Sequence, residues 1–300
     1  MIVITGATGN TGKPAVEGLL AKGEKVRAIG RDANKLEPFV RKGAEAFVGN
    51  VEDSASMTEA FDRATAVYLI IPQAMHLEDF RAYQERISDA FATAVAGAHV
   101  PYVVALSSIG GQHAEKTGPI VGLHNMEQKL NRIPGLNVLH LRPTYFMENF
   151  LMSISTIRSM NMFPGAMPAD VPFQTIATKD IGTYAAGRLH ARDFSGSSTQ
   201  ELLGSRDVTM KEIASIIGKA IGKPGLQYMQ APFPMMEAAL IQMGLPRSSA
   251  ELMIELGKAG NYGLLAPQEP RSAKNTTPTT IEWFASEVFA PAYLGKAAEA

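Results

Sequence analysis

The chain reads as an α/β protein: a doubly wound parallel sheet followed by a smaller, mostly helical C-terminal cap. Three observations predict this. In the first half, short β-branched runs alternate with helix-length amphipathic segments, the pattern of parallel strands joined by helical crossovers. Those strand runs are apolar almost throughout, as expected where helices cover both faces of a sheet. After about Arg142 the rhythm changes to longer helical stretches rich in proline and methionine, broken by single short strand candidates.

Taken in order, strands are expected at Ile2 to Thr5, Lys25 to Ile29, Ala46 to Val48, Ala66 to Ile71, Tyr102 to Leu106 and Asn137 to Leu141. The first helix, from about Thr11 to Lys22, places Val16, Leu19 and Leu20 on one face and ends before Gly23, a candidate C-cap. Further helices are expected near Ala33 to Arg41, Ser54 to Asp62, Phe80 to Ala98 and Ile120 to Arg132. In the second half, Glu201 to Leu203 and Leu226 to Met229 are isolated strand candidates. Residues 1–150 thus form one domain and 151–300 the cap region. The cap's methionines, among them Met147, Met152, Met160, Met162, Met167, Met229, Met235, Met236 and Met243, read first as core filler and second as a pocket lining. The last residues, from Gly295 to Ala300, read as a frayed tail.

With 300 residues, 46% hydrophobic and 19% charged, the chain has enough apolar material for a large core and none of the bias of a disordered segment. A formal charge of -1 and no basic recognition helix argue against a nucleic-acid partner. The absence of cysteine excludes disulfides, a thiolate nucleophile and cysteine-bound zinc, and no metal site is expected. Met1-Ile2-Val3-Ile4-Thr5 runs directly into a glycine turn without a basic leader or cleavage site, so a cytoplasmic location is expected. The most apolar window, Ala64 to Pro72, is too short for a bilayer and reads as a buried strand, so no membrane association is expected.

The strongest motif is Gly6-Ala7-Thr8-Gly9-Asn10-Thr11-Gly12, which follows a strand and opens a helix. Glycines let the backbone turn tightly and approach a pyrophosphate, and the helix's unpaired N–H groups face the anion. This is the phosphate loop of a Rossmann domain, with Gly6, Thr8, Gly9, Asn10, Thr11 and Gly12 as candidate contacts. A plain strand-to-helix turn is the alternative. At the end of the second strand stands Gly30-Arg31-Asp32, where an acidic residue would bind ribose hydroxyls and an arginine a 2′-phosphate. Arg31 comes first, with Lys35 one helical turn on, so NADP(H) is preferred over NAD(H). The alternative is that Arg31 pairs with Asp32 or points to solvent. Asn50, after the third strand, is a candidate for adenine recognition because an amide both donates and accepts.

Beyond this loop the sequence carries Val26-Arg27-Ala28 leading to Arg31, His124-Asn125-Met126-Glu127, Leu141-Arg142-Pro143-Thr144-Tyr145-Phe146-Met147-Glu148-Asn149 and Ala177-Thr178-Lys179-Asp180-Ile181-Gly182. In these motifs it resembles the NmrA-like family, a branch of the atypical short-chain dehydrogenase/reductases that holds quinone and azo-compound reductases as well as non-catalytic sensors. The resemblance covers most of the chain. It implies that the loop of Ile71 and Pro72 passes close to the nicotinamide ribose. It also implies that Ile176 to Ile181 returns to the sheet, making the cap discontinuous and adding about 174–190 to the first domain.

Typical short-chain dehydrogenases pair a tyrosine with a lysine four residues on, after a serine, so that a lowered-pKa phenol exchanges the carbonyl proton. Ser107 and Ser108 stand in the right region, but no such tyrosine–lysine pair lies between Ser107 and Pro143. Two functions remain. One is an NADPH-dependent reductase for a small electron-accepting substrate such as a quinone, with His124 as proton donor and Ser107 or Tyr145 as polar positioners. The other is an NADP(H)-binding redox sensor that acts through a protein partner and exposes an apolar patch on its cap. Structural alternatives stand beside each residue: His124 hydrogen-bonded within the domain junction, Glu127 paired with a cation such as Arg142, and Tyr145 with Phe146 wedging the cap onto the sheet.

Overall fold

The computed structural model describes residues 1–295; most of the expected tail, residues 296–300, lies outside the described residues. Five strands and five helices alternate from the start: β1 (Ile2–Ile4), α1 (Gly12–Ala21), β2 (Val26–Gly30), α2 (Ala33–Val40), β3 (Glu45–Val48), α3 (Ser54–Ala60), β4 (Ala66–Leu69), α4 (Phe80–Gly97), β5 (Tyr102–Leu106) and α5 (Ile120–Asn131). They are followed by β6 (Asn137–Pro143) and β7 (Tyr145–Phe146), a 3-10 stretch over Met147–Ser153, α6 (Ile154–Met160), β8 (Met162–Gly165), β9 (Phe173–Ile176), α7 (Thr178–Ala191) and β10 (Ser197–Leu202). The last part holds β11 (Asp207–Val208), α8 (Met210–Ala220), β12 (Gln227–Gln230), α9 (Phe233–Gln242), α10 (Arg247–Asn261), α11 (Ile281–Phe284) and α12 (Ala290–Tyr293). No helix among the described residues is long and apolar enough to cross a membrane.

Seven strands form the main sheet in the order β10-β6-β5-β4-β1-β2-β3, all pairings parallel. The side chains sort by the period of two. Ile2, Ile4 and Tyr68 face α1 and α7, whereas Val3, Val67 and Leu69 face α3, α4 and α5. Burial of both faces explains why these strands are apolar runs without polar alternation. A separate core of Met147, Phe150, Phe163, Ile213, Ile217, Phe284 and Phe289 lies in the cap. Met147 belongs to it, but Met152, Met160, Met235 and Met243 are exposed, so core filling explains only part of the methionine content.

Residues 176–181 come back to the main sheet's core as the start of a helix, not as one of its strands: Ile176 ends β9, which pairs with β7 and β11 in a small sheet, and Thr178 begins α7. The apolar residues Ile181, Ala185 and Leu189 recur at helical spacing and bury against the α1 side of the core. The strand that does rejoin the sheet is β10, beside β6.

Small residues bring α7 against α1. A Cβ at Gly182 would overlap the carbonyl oxygen of Thr11 and the ring of Pro14, and one at Gly18 would stand 3.2 Å from Ala186 Cβ. Since Thr11 heads α1, this contact also fixes the glycine loop. Gly182→Ala is therefore expected to destabilise the protein by about 1–3 kcal/mol through overpacking and to weaken nucleotide binding at the same time. Denaturant unfolding and a cofactor titration of the variant check both effects, and an unchanged midpoint would contradict the first.

Candidate functional site

Because the sheet is parallel, the loops that follow β1, β2, β3, β4, β5 and β6 all emerge at one edge, where open α/β sheets bind ligands. The first of them is the glycine loop. Gly6 adopts φ +59°, a left-handed conformation that a side chain disfavours, and its carbonyl accepts the Gly9 amide at 2.9 Å. A Cβ at Gly12 would overlap that same carbonyl, so the helix opens as close to the turn as glycine alone permits. Thr8, Gly9 and Asn10 are exposed while Thr11 and Gly12 are buried. Among the described residues no side chain caps α1. A tight cradle of this kind at a free helix N-terminus fits a dinucleotide pyrophosphate.

Neighbouring loops are tied to this cradle. The Ala7 amide donates to Ile29 O at 3.1 Å and the Gly49 amide to Gly30 O at 3.1 Å, which draws the ends of β1, β2 and β3 together. The buried hydroxyl of Thr5 donates to Tyr68 O at 3.0 Å and accepts the Ile70 amide at 2.8 Å. That second bond takes the Ile70 amide out of the ladder, which is why β4 ends at Leu69, two residues earlier than expected, and releases Ile71 and Pro72 into a loop.

Arg31 and Lys35 are both exposed, and neither makes an ion pair among the described residues. Asp32 is not a partner of Arg31: its carboxylate accepts the Asn34 amide at 2.9 Å and caps α2. Asn50 is exposed, and its side-chain oxygen accepts the Glu52 amide at 3.2 Å.

At the other side of this edge, the Ser107 and Ile109 amides donate to Leu141 O and Pro143 O at 2.8 and 3.0 Å. Ser107 Oγ is buried and has no hydrogen-bond partner among the described residues. His124, half-buried on α5, places Nδ1 2.9 Å from Gly111 O. One turn on, Glu127 holds Arg142 in a bidentate pair, Nε to Oε1 at 3.0 Å and Nη2 to Oε2 at 2.5 Å, with both residues buried. The expected Glu127–Arg142 partnership is therefore present.

Tyr145 belongs to the cap. Its ring lies 5.2 Å from Phe150 and 6.0 Å, edge-on, from Phe173, while Phe146 packs against the main sheet's core. The two aromatics wedge sheet and cap together. Tyr145 is half-buried, and burial pushes its phenol up to about 12. A phenol held that high is a poor proton donor near neutral pH. Below it, Glu148 accepts the Thr178 amide at 3.0 Å and the Thr178 hydroxyl at 2.6 Å, and burial still raises its carboxyl.

Several residues at this edge escaped the sequence reading. The Arg142 Nη1 group lies 3.4 Å from Gln112 Oε1 and 3.5 Å from Gln268 Oε1, and Glu201 accepts the Gln268 and Glu269 amides. His113 Nε2 lies 3.1 Å from Leu264 O. At its start, α10 is held by Ser248 and Ser249, whose hydroxyls donate to Glu78 O and Leu77 O; near its end, Asn261 donates to Ala166 O. It thus bridges the loop after β4 and the cap. Consecutive glycines at 110–111, just after a strand and two serines, were the one signal in the sequence for this region. The two best-formed surface depressions lie elsewhere, one beside Arg81, Glu85 and Asn125 and one beside Arg27, Glu45 and Asp62. Neither is lined by a residue of the glycine loop, so loop geometry rather than cavity shape locates the site.

With this geometry in place, similarity decides the family. The description "NmrA-like family" matches residues 1–285. The chain belongs to the NmrA-like family. Among relatives of this NmrA-like protein, an NAD(P)H azoreductase of Xenophilus azovorans is 25% identical over 282 residues, covering 93% of this chain and 92% of that one. A quinone oxidoreductase 2 of Escherichia coli (strain K12) is 26% identical over 268 residues, covering 88% and 89%. In fold, an NADPH-dependent quinone oxidoreductase from Escherichia coli, solved with NADPH, superposes with a TM-score of 0.81 at 23% identity, covering 96% of this chain and 100% of its own. A Citrobacter sp. triphenylmethane reductase solved with NADP(H) gives 0.80 at 18% identity, covering 96% and 100%.

Proposed function

We propose that this NmrA-like protein is an NADPH-dependent reductase that passes hydride to a small electron-accepting substrate such as a quinone. The observation that carries the reading is the intact phosphate cradle with an exposed, unpaired Arg31 beside it. Relatives named as an azoreductase and a quinone oxidoreductase support it. Gly6, Thr8, Gly9, Asn10, Thr11 and Gly12 hold the pyrophosphate, Arg31 and Lys35 the 2′-phosphate, Asn50 the adenine, and Ile71 and Pro72 the nicotinamide ribose. When bound, the nicotinamide supplies the hydride. The chain's own part is to align the acceptor and deliver a proton, which His124 does from the rim of the same sheet edge. Ser107, buried with a free hydroxyl, orients polar groups there, and Tyr145 shapes the wall without titrating.

The test is a titration with NADPH and NADH followed, in the same sample, by a panel of quinones while nicotinamide absorbance is recorded. Acceptor-dependent oxidation of NADPH is expected. His124→Ala is expected to lower kcat by about 100-fold, the lower end for general acid catalysis, with cofactor affinity unchanged. Unchanged quinone turnover would remove the proton-donor role.

A second reading, an NADP(H) sensor with a protein partner, has one specific observation in its favour. α9, with sequence FPMMEAALIQ, buries none of its residues and leaves Met235 56% exposed. Tight NADPH binding without oxidation by any acceptor would favour it.

A further inference from the structure

The proton-donor reading of His124 leaves open which ring nitrogen gives up the proton, and the peptide at Gly111 answers this. A carbonyl oxygen accepts and never donates, so the 2.9 Å approach of His124 Nδ1 to Gly111 O requires the hydrogen on Nδ1. We propose that the Gly111 carbonyl fixes His124 as the Nδ1–H tautomer, so that its donated proton leaves from Nε2, and that the buried Glu127–Arg142 pair is the positioning device that holds Gly111 in place. This rests on the reductase reading only for the proton's destination.

The geometry for the second half lies around Gly111. A Cβ there would stand 2.8 Å from Glu127 Oε1, 2.9 Å from Ser107 Oγ and 3.0 Å from Ser108 O. Only glycine fits between that carboxylate and that hydroxyl. The Gly111 amide is spent on Ser108 O at 2.9 Å, so both ends of the residue are fixed. Glu127 cannot swing away, because both of its oxygens are engaged by Arg142. Arg142 in turn reaches Gln112, the next residue of the same loop. His124 and Glu127 stand three residues apart on α5, so one helix face supplies both the group that bonds the Gly111 carbonyl and the wall against its α-carbon.

The consequence for the reaction is specific. Protonated His124 carries hydrogens on both nitrogens, and Gly111 O stabilises the one on Nδ1 in either charge state. As the acceptor takes the hydride's electron pair, the Nε2–H bond breaks and an O–H bond forms on the reduced acceptor. The ring is left neutral with Nδ1–H, ready to take a proton back on Nε2 from water. No tautomer exchange is needed between turnovers.

The test uses the 300-residue protein labelled with 15N-histidine, with His124 assigned by loss of its signals in His124→Gln, and long-range nitrogen–proton correlation spectra recorded without cofactor in alkaline buffer. The Nδ1–H pattern is expected, in contrast to free imidazole side chains, which favour Nε2–H. An Nε2–H pattern would overturn the proposal. Gly111→Ala is expected to mix the two tautomers and to lower kcat about tenfold or more with KM for NADPH unchanged. Should that variant fail to fold, Glu127→Leu combined with Arg142→Met removes the wall while leaving a packed apolar site, and the same mixing is expected. Retention of the pure Nδ1–H pattern in the folded variants would overturn the role of the pair. The Nδ1–H pattern together with full quinone turnover in His124→Ala would leave the tautomer assignment standing and refute the proton-donor reading instead.

Discussion

Replacing Arg31 with alanine is expected to weaken NADPH binding by about 10- to 100-fold while changing NADH affinity by less than about twofold, the span given by losing one or two charge-assisted hydrogen bonds. The asymmetry follows from position. Arg31 is the first residue after β2, it is exposed, and among the described residues it makes no ion pair, Asp32 turning Oδ1 to the Asn34 amide. Only NADPH carries a dianionic phosphate where a ribose hydroxyl stands in NADH. Arg31→Lys is expected to fall between, since an ammonium keeps the charge but loses the planar fork. Lys35→Ala, on the exposed first turn of α2, is expected to cost only a few-fold. Raising the salt concentration should narrow the difference between wild type and Arg31→Ala, because the lost interaction lies within reach of screening ions. Fluorescence titration with both cofactors at two ionic strengths reads all of this. Equal losses for NADPH and NADH would refute the assignment of Arg31 to the 2′-phosphate.

The parts of this site that depend on local chemistry were legible in the chain, and those that depend on long-range contacts were not. Strands such as Val103 to Leu106 announced themselves because burial on both faces demands continuous apolar runs, and Gly6, Gly9 and Gly12 because a tight turn into a helix tolerates little else. β10 was glimpsed only at its end, at Glu201 to Leu203, because it is an edge strand whose first residues, Ser197 to Gln200, carry no hydrophobic signal. For the Ile176 to Ile181 segment the resemblance implied a return to the sheet, and only the apolar spacing through Leu189 shows that it comes back as a helix. The segment around Gln268 has no periodicity at all. Its place is fixed by the Glu201 carboxylate accepting two of its backbone amides and by Arg142 reaching its side chain, contacts between residues more than sixty positions apart. For His124 the residue type was readable as a donor, but its partner, Gly111 O, is set by how the loop after β5 folds back over α5.

Glu127→Ala alone is expected to destabilise the protein by about 3–5 kcal/mol, the cost of stranding a buried charge. Arg142 is only 8% exposed, and without Glu127 its guanidinium keeps, among the described residues, two long contacts to amide oxygens, at 3.4 and 3.5 Å. Arg142→Met is expected to be similarly costly, since it leaves a carboxylate 1% exposed against Gly111. The double replacement Glu127→Leu with Arg142→Met should recover most of the loss, because desolvating an ion pair offsets much of its mutual attraction and an apolar pair of similar volume avoids that cost. The sum of the single effects should therefore exceed the double effect by about 2 kcal/mol or more, a coupling measured by urea unfolding of the four proteins at a constant m-value. Additive losses would mean that the pair is worth little to the fold and that other contacts hold Arg142 in place. Recovery of stability without recovery of the His124 tautomer would separate the two roles: the interior tolerates oil at these positions, while the loop that carries Gly111 needs the carboxylate's fixed edge.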